Sequence, residues 1–168
     1  NWNGSGQNSI NLFEEQRFPH SIGLLYSAFT AFLGFKVNEG EYKVMGMAPY
    51  GRPCYVDKVM KLIHIQADGS FSLNMDYFSF QYSATETYNQ RLLDLFGPAR
   101  TPSDDFFTMA TNPERADEKE AMERNQYYAD VAASIQAVTE DVILRMVNTL
   151  HQKTGLKKLA MAGGVALN

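Results

Sequence analysis

The chain of 168 residues sets 15 Lys and Arg against 19 Asp and Glu, a net charge of -4 that leaves no electrostatic footprint for gripping nucleic acid or an anionic membrane. Cys54 is the single cysteine, which excludes an internal disulfide and a cysteine zinc cluster and suits a reducing, cytoplasmic setting. The length suits one domain with an ordinary core, which the aromatic residues and methionines can fill without naming a ligand.

Residues 1–7, rich in Gly and Asn, read as a loop, and residues 9–14 as a short strand leading to Phe18, Pro19 and His20. Ser21 is placed to N-cap a helix over residues 22–33 that is apolar nearly all round and so should be buried. That stretch, broken by Tyr26, Ser27, Thr30 and Gly34, is too short to span a bilayer. Residues 36–51 are polar and punctuated by glycine, with a short central helix limited by Pro49. A short amphipathic helix is expected over residues 55–63. Residues 65–73 alternate about Asp68-Gly69, a hairpin turn pair. Another helix, over residues 88–96, ends at Gly97-Pro98, and residues 99–117 read as a surface connection, the best place for a mobile stretch.

The longest element is expected over residues 119–153, where Tyr128, Val131, Ile135, Val138, Val142, Met146 and Leu150 recur at spacings of three and four. Lys153 and Gly155 supply favoured C-terminal chemistry. A coiled coil satisfies this apolar stripe, and so does packing against a sheet, which leads directly into the next element. Residues 157–162 read as a buried strand, Gly163-Gly164 as a tight turn and residues 165–168 as the first turn of a helix. Strand, glycine turn and helix start bring bare backbone N–H groups up to a phosphate or nucleotide. A domain rarely stops there, so the chain is expected to be a segment of a larger nucleotide-handling enzyme, truncated at both ends.

Two carboxylates, a lysine and three glycines crowd residues 39–51, and glycines let backbone approach a ligand closely. Glu41 is a candidate for a ribose hydroxyl and Lys43 for a phosphate. The same composition fits a glycine-capped helix with solvated charges. Gly163, Gly164 and Asn168 are the candidates for nucleotide contact at the terminal turn. His20 is placed either to contact substrate or to hydrogen-bond its own loop. Neither His64 nor His151 has a partner at metal-ligand spacing, so no metal site is complete in the chain. The acidic residues between Asp104 and Glu123 read as a solvated loop and first helical turn.

Three segments, FPHSIGLLYSAFT at 18–30, LGFKVNEGEYKVMGMAPYG at 33–51 and AGGVALN at 162–168, resemble the nodulation-type and antibiotic-type O-carbamoyltransferases, in the expected order and over nearly the whole chain. The resemblance implies transfer of a carbamoyl group from carbamoyl phosphate to a hydroxyl of a sugar or antibiotic-like acceptor, through a carbamoyl-adenylate formed with ATP. It implies an α/β fold with a ribonuclease-H-like sheet, akin to the tRNA threonylcarbamoyl-transfer enzymes and to the actin, sugar kinase (hexokinase) and heat-shock ATPase superfamily. The fold would be helix-rich, with a long amphipathic helix and short strands. It further implies that residues 163–168 line the nucleotide site, with residues 41–43 near the ribose and phosphates. A divalent metal is expected in the full-length enzyme, held by a histidine pair before Asn1 and an aspartate after Asn168, so this polypeptide alone should not turn over.

A rival expectation makes the segment a scaffold or homodimerisation element, burying residues 22–33 and the long stripe against a partner chain. A role in tRNA modification is disfavoured by the acidic charge, by Leu167 and by the YKVMG wording of residues 42–46.

Overall fold

A computed structural model describes Leu12 and residues 14–168 of the chain. The loop expected over residues 1–7 and most of the strand expected over residues 9–14 lie outside the described residues. Five α-helices follow: α1 (Ile22–Phe32), α2 (Glu41–Met47), α3 (Val56–Val59), α4 (Gln90–Phe96) and α5 (Lys119–Thr154). Among the described residues the only sheet is the antiparallel pair β1 (Ile63–Ile65) and β2 (Phe71–Leu73).

Local chemistry sets most of the boundaries. Ser21 caps α1 by accepting the Leu24 N–H at 3.3 Å, and Gly34 turns the chain away with φ at 78°. Asn89 caps α4 by accepting the Arg91 N–H. In the hairpin turn the Asp68 Oδ1 accepts from both the N–H and the hydroxyl of Ser70. The 36 residues of α5 make a rod about 54 Å long, closed by Gly155 in the left-handed region at φ 67°.

The core forms where α1, α2, α3 and the 3-10 turn Ala48–Tyr50 pack on α5. Phe29, Phe32, Phe96 and Tyr128 meet edge-on in its centre, with Phe29 and Phe96 centroids 5.2 Å apart. Gly51 lets the turn press against the rod, because a Cβ there would lie 2.0 Å from the carbonyl oxygen of Ala129.

Four expectations need correction. The stripe on α5 packs chiefly against helices and the 3-10 turn Ala48–Tyr50, with the hairpin sharing the core and its Gly69 turn reaching Arg145 and Met146. Only the stripe's first five members are buried, and Met146 and Leu150 emerge from the core. Residues 157–162 form no strand and are exposed, since a strand exists only through a neighbour's ladder and the one ladder among the described residues is complete within the hairpin. The chain closes in a 3-10 turn, Gly164–Leu167, in place of an α-helical first turn. Helix α3 is a single turn.

The connection over residues 99–117 is also less free than its composition suggests. Arg100 is buried, donating to the Leu33 and Asp104 carbonyls. Arg115 stacks 3.4 Å over the Phe107 ring while pairing with Asp105 and Glu118, and this pairing raises the guanidinium pKa and lowers both carboxyls.

Candidate functional site

A cavity of about 680 Å³ opens between the first turns of α1, the start of α2 and the Gly164–Leu167 turn, within the size range of small-molecule sites. Its polar lining includes Ser27, Asn38, Glu41, Asn168 and a second carboxylate, Glu39, with Tyr26 beside them, and its apolar wall includes Ile22 and Met45. The terminal turn packs over Gly23 of α1, where even an added Cβ would sit 3.4 Å from the Val165 side chain, at the edge of ordinary contact.

Glu41 is the first residue of α2, and its Oε1 accepts from the Ser27 hydroxyl at 2.9 Å and from the Asn38 N–H at 3.0 Å. Burial pushes this carboxyl up, but the Asn38 N–H, its own N–H, the Ser27 hydroxyl and the Gly40 N–H together outweigh it and hold the group below its ordinary value. An anion stabilised in this way is a poor base. It is well suited to accept hydrogen bonds from hydroxyls.

On the other side Tyr26, buried in α1, donates to Gln136 Oε1 at 2.9 Å, and Gln136 Nε2 donates to Asn168 Oδ1 at 2.6 Å. Desolvation pushes the Tyr26 hydroxyl up to about 12, with Asn168 pulling it down and Glu41 and Glu140 adding to the rise. It therefore stays neutral and a donor at ordinary pH.

Of the residues nominated by sequence, Glu41 lines this cavity together with Gly164 and Asn168 of the terminal turn, far from it along the chain. Gly163 stands at its edge with φ at 101°, bending the chain into the turn. Lys43 is turned away. Two positions from Glu41 on the same helix it occupies another face, and its ammonium lies 5.7 Å from the Phe35 ring centroid and 6.0 Å from that of Tyr42. His20 is outside the lining as well: its Nδ1 accepts the Leu73 N–H at 3.1 Å, tying the chain ahead of α1 to β2. Sequence reasoning missed Tyr26, Ser27 and Gln136 as site residues. The available signal was the pair of polar side chains interrupting an otherwise apolar helix.

A donor set for a metal is another matter. Among the described residues no group of three or more His, Cys, Asp or Glu is arranged to hold a metal ion. No described helix is long and apolar enough to cross a membrane.

Fold and cavity together define a helix-rich domain with an open cleft walled by two carboxylates, an amide and a glycine turn. The chain belongs to the carbamoyltransferase N-terminus family, whose model matches residues 3–168. It is 48% identical over 168 residues to an uncharacterized protein of Synechocystis sp., covering 99% of this chain and 24% of that protein. It is also 30% identical over 154 residues to the nodulation protein NolNO of Sinorhizobium fredii, covering 90% of this chain and 18% of that one. The nodulation protein NolO of Bradyrhizobium diazoefficiens is likewise 30% identical, with 90% and 23% covered. The chain thus spans about a quarter or less of the length of these relatives.

Proposed function

We propose that the cleft holds the nucleoside end of an adenylate, and that the polypeptide carrying this chain transfers a carbamoyl group from carbamoyl phosphate, through an ATP-derived carbamoyl-adenylate, to a hydroxyl of a sugar or antibiotic-like acceptor. Membership of the carbamoyltransferase family supports the transfer. The observation that carries the nucleotide reading is the convergence of Glu41, Gly164 and Asn168 on one cavity.

In the transfer step the acceptor oxygen bonds to the carbamoyl carbon, the bond from that carbon to the adenylate phosphate oxygen breaks, AMP departs with the electron pair, and the hydroxyl proton passes to the departing phosphate or to solvent. The contribution proposed for this chain is positioning. Glu41 accepts hydrogen bonds from ribose hydroxyls, and the backbone of the Gly163-Gly164 bend lies close to the phosphate. The remaining fold is proposed to be a ribonuclease-H-like α/β domain in which residues 157–162 join a sheet built with other parts of the polypeptide.

Titration calorimetry with AMP tests the reading. Gly164→Asp is the informative variant, because a Cβ at Gly164 meets no atom within 4 Å, so the fold tolerates it while a carboxylate arrives beside the phosphate. Binding by the natural chain that weakens at least about tenfold in the variant, with an unchanged melting temperature, is expected. The scaffold reading needs correction in its surface, because most of residues 22–33 and the first five stripe positions are already buried within the chain. Absence of AMP binding together with a stable dimer would transfer support to a dimer formed instead through the exposed Leu144, Leu159 and Met161.

A further inference from the structure

We infer that Gln136, midway along α5, is a positioning residue of the cleft, holding Asn168 so that an amide N–H donor is turned toward a ligand. The inference rests on the adenylate reading of the same cleft. Its basis is the order in which hydrogen-bond directions are forced.

A carboxylate only accepts, and Glu140, one turn further along α5, places Oε1 at 2.9 Å from Gln136 Nε2. The Gln136 nitrogen must therefore face Glu140, which leaves its oxygen to accept from the Tyr26 hydroxyl at 2.9 Å. Tyr26 cannot reverse that bond by ionising, because burial keeps its hydroxyl protonated. The same nitrogen also reaches Asn168 at 2.6 Å, so the Asn168 atom facing it has to be the oxygen. Every direction in the chain Tyr26, Gln136, Asn168 follows from the charge on Glu140.

The consequence is a polarity across the cleft. With its oxygen engaged, Asn168 has only its amide nitrogen left to turn toward the cavity it lines. One N–H is within reach of the Tyr26 hydroxyl, the contact that pulls that pKa down, and the second is left for a ligand. The opposite wall carries the Glu41 carboxylate, an acceptor. A ligand that offers a hydroxyl to Glu41 and an oxygen acceptor to Asn168 satisfies both, and a ribose phosphate has both groups.

Gln136→Glu keeps the shape and the oxygen that Tyr26 needs but removes the donor, so the Asn168 amide is driven to turn round. Gln136→Met removes the network without adding charge beside Glu140. Both should weaken AMP binding at least about tenfold with little change in melting temperature, since one directed hydrogen bond is lost on the ligand side. In 15N-asparagine-labelled protein without ligand, the side-chain amide resonances of Asn168 should move in both variants. Affinities within about threefold of the natural chain, or unmoved Asn168 resonances, overturn the inference. If the natural chain binds no AMP, the adenylate reading falls, and the Asn168 resonances alone then decide whether Gln136 sets that side chain.

Discussion

The Ser27 hydroxyl donates to Glu41 Oε1 at 2.9 Å, so the middle of α1 is tied to the first residue of α2 through the one carboxylate of the cleft whose pKa is displaced. Because the folded value lies below the ordinary 4.5, the stability this group supplies is present above that pH and is lost as pH falls through the folded value. Ser27→Ala removes a donor and moves the folded value back up. The variant should lose about 1 kcal/mol or less at pH 7, the group being largely solvent-screened, and the gap from the natural chain should shrink towards about pH 3. Urea unfolding at both pH values measures this, and a gap independent of pH would refute the role given to the hydroxyl.

Gly51 and Gly164 make opposite predictions from the same substitution. A Cβ at Gly51 would stand 2.0 Å from the Ala129 carbonyl oxygen, a backbone atom in the rigid middle of α5, whereas one at Gly164 stands in open space. Gly51→Ala should therefore cost about 2–3 kcal/mol or more by chemical denaturation, as overpacking does when neither side can yield. Gly164→Ala should stay within about 0.5 kcal/mol. Equal effects would mean that the turn at residues 48–51 does not seat on α5 as described.

Arg100 reaches from the connection after α4 to the end of α1, where it donates to the Leu33 carbonyl at 3.3 Å and to that of Asp104 while its guanidinium lies 5.4 Å from the Phe35 ring centroid. Desolvation lowers its pKa from a value so high that it remains charged in all ordinary buffers. Arg100→Ala leaves a carbonyl unpaired at a helix end and a void under Phe35, for about 2–4 kcal/mol. Arg100→Lys should recover less than half of that, because an ammonium cannot serve two carbonyls and a ring in one plane. Full recovery by lysine, read from thermal or urea unfolding, would show that charge alone matters there.

Legibility in the sequence followed the range of the interactions. The Ser21 cap, the Gly34 and Gly155 stops and the Asp68-Gly69 turn are settled within four residues, and each stands where local chemistry puts it. The stripe on α5 was legible as a helix face but not as to what covers it. Val131, Ile135 and Val142 are fully buried, while Met146, at the next position in register, is 37% exposed, with the hairpin turn at Gly69 lying against its backbone. The strand expected at residues 157–162 shows the same limit: Leu159 and Met161 alternate as strand residues do, yet a strand also needs a partner ladder. For the site, residue types were readable and side-chain directions were not. Glu41 and Lys43 stand together as candidates in the sequence, and helical geometry parts them. Gln136 had no local signal, because its role depends on Tyr26 and Asn168, which are 110 and 32 positions away.

His20 is the residue for which the two sequence readings, contact with substrate or support of its own loop, can be separated most directly. Its Nδ1 accepts the Leu73 N–H at 3.1 Å, an edge donor of β2, and the ring lies outside the lining of the cleft. Truncation to alanine leaves that donor without a protein partner and loosens the hairpin, for about 1–2 kcal/mol. His20→Asn brings a shorter acceptor and should recover part of the loss. If support is the whole role, AMP affinity measured by calorimetry stays within about twofold of the natural chain in both variants while the melting temperature falls in the alanine variant. The reverse pattern, unchanged melting with binding lost, would move His20 into contact with the ligand and require the cleft to extend past α1 toward β2.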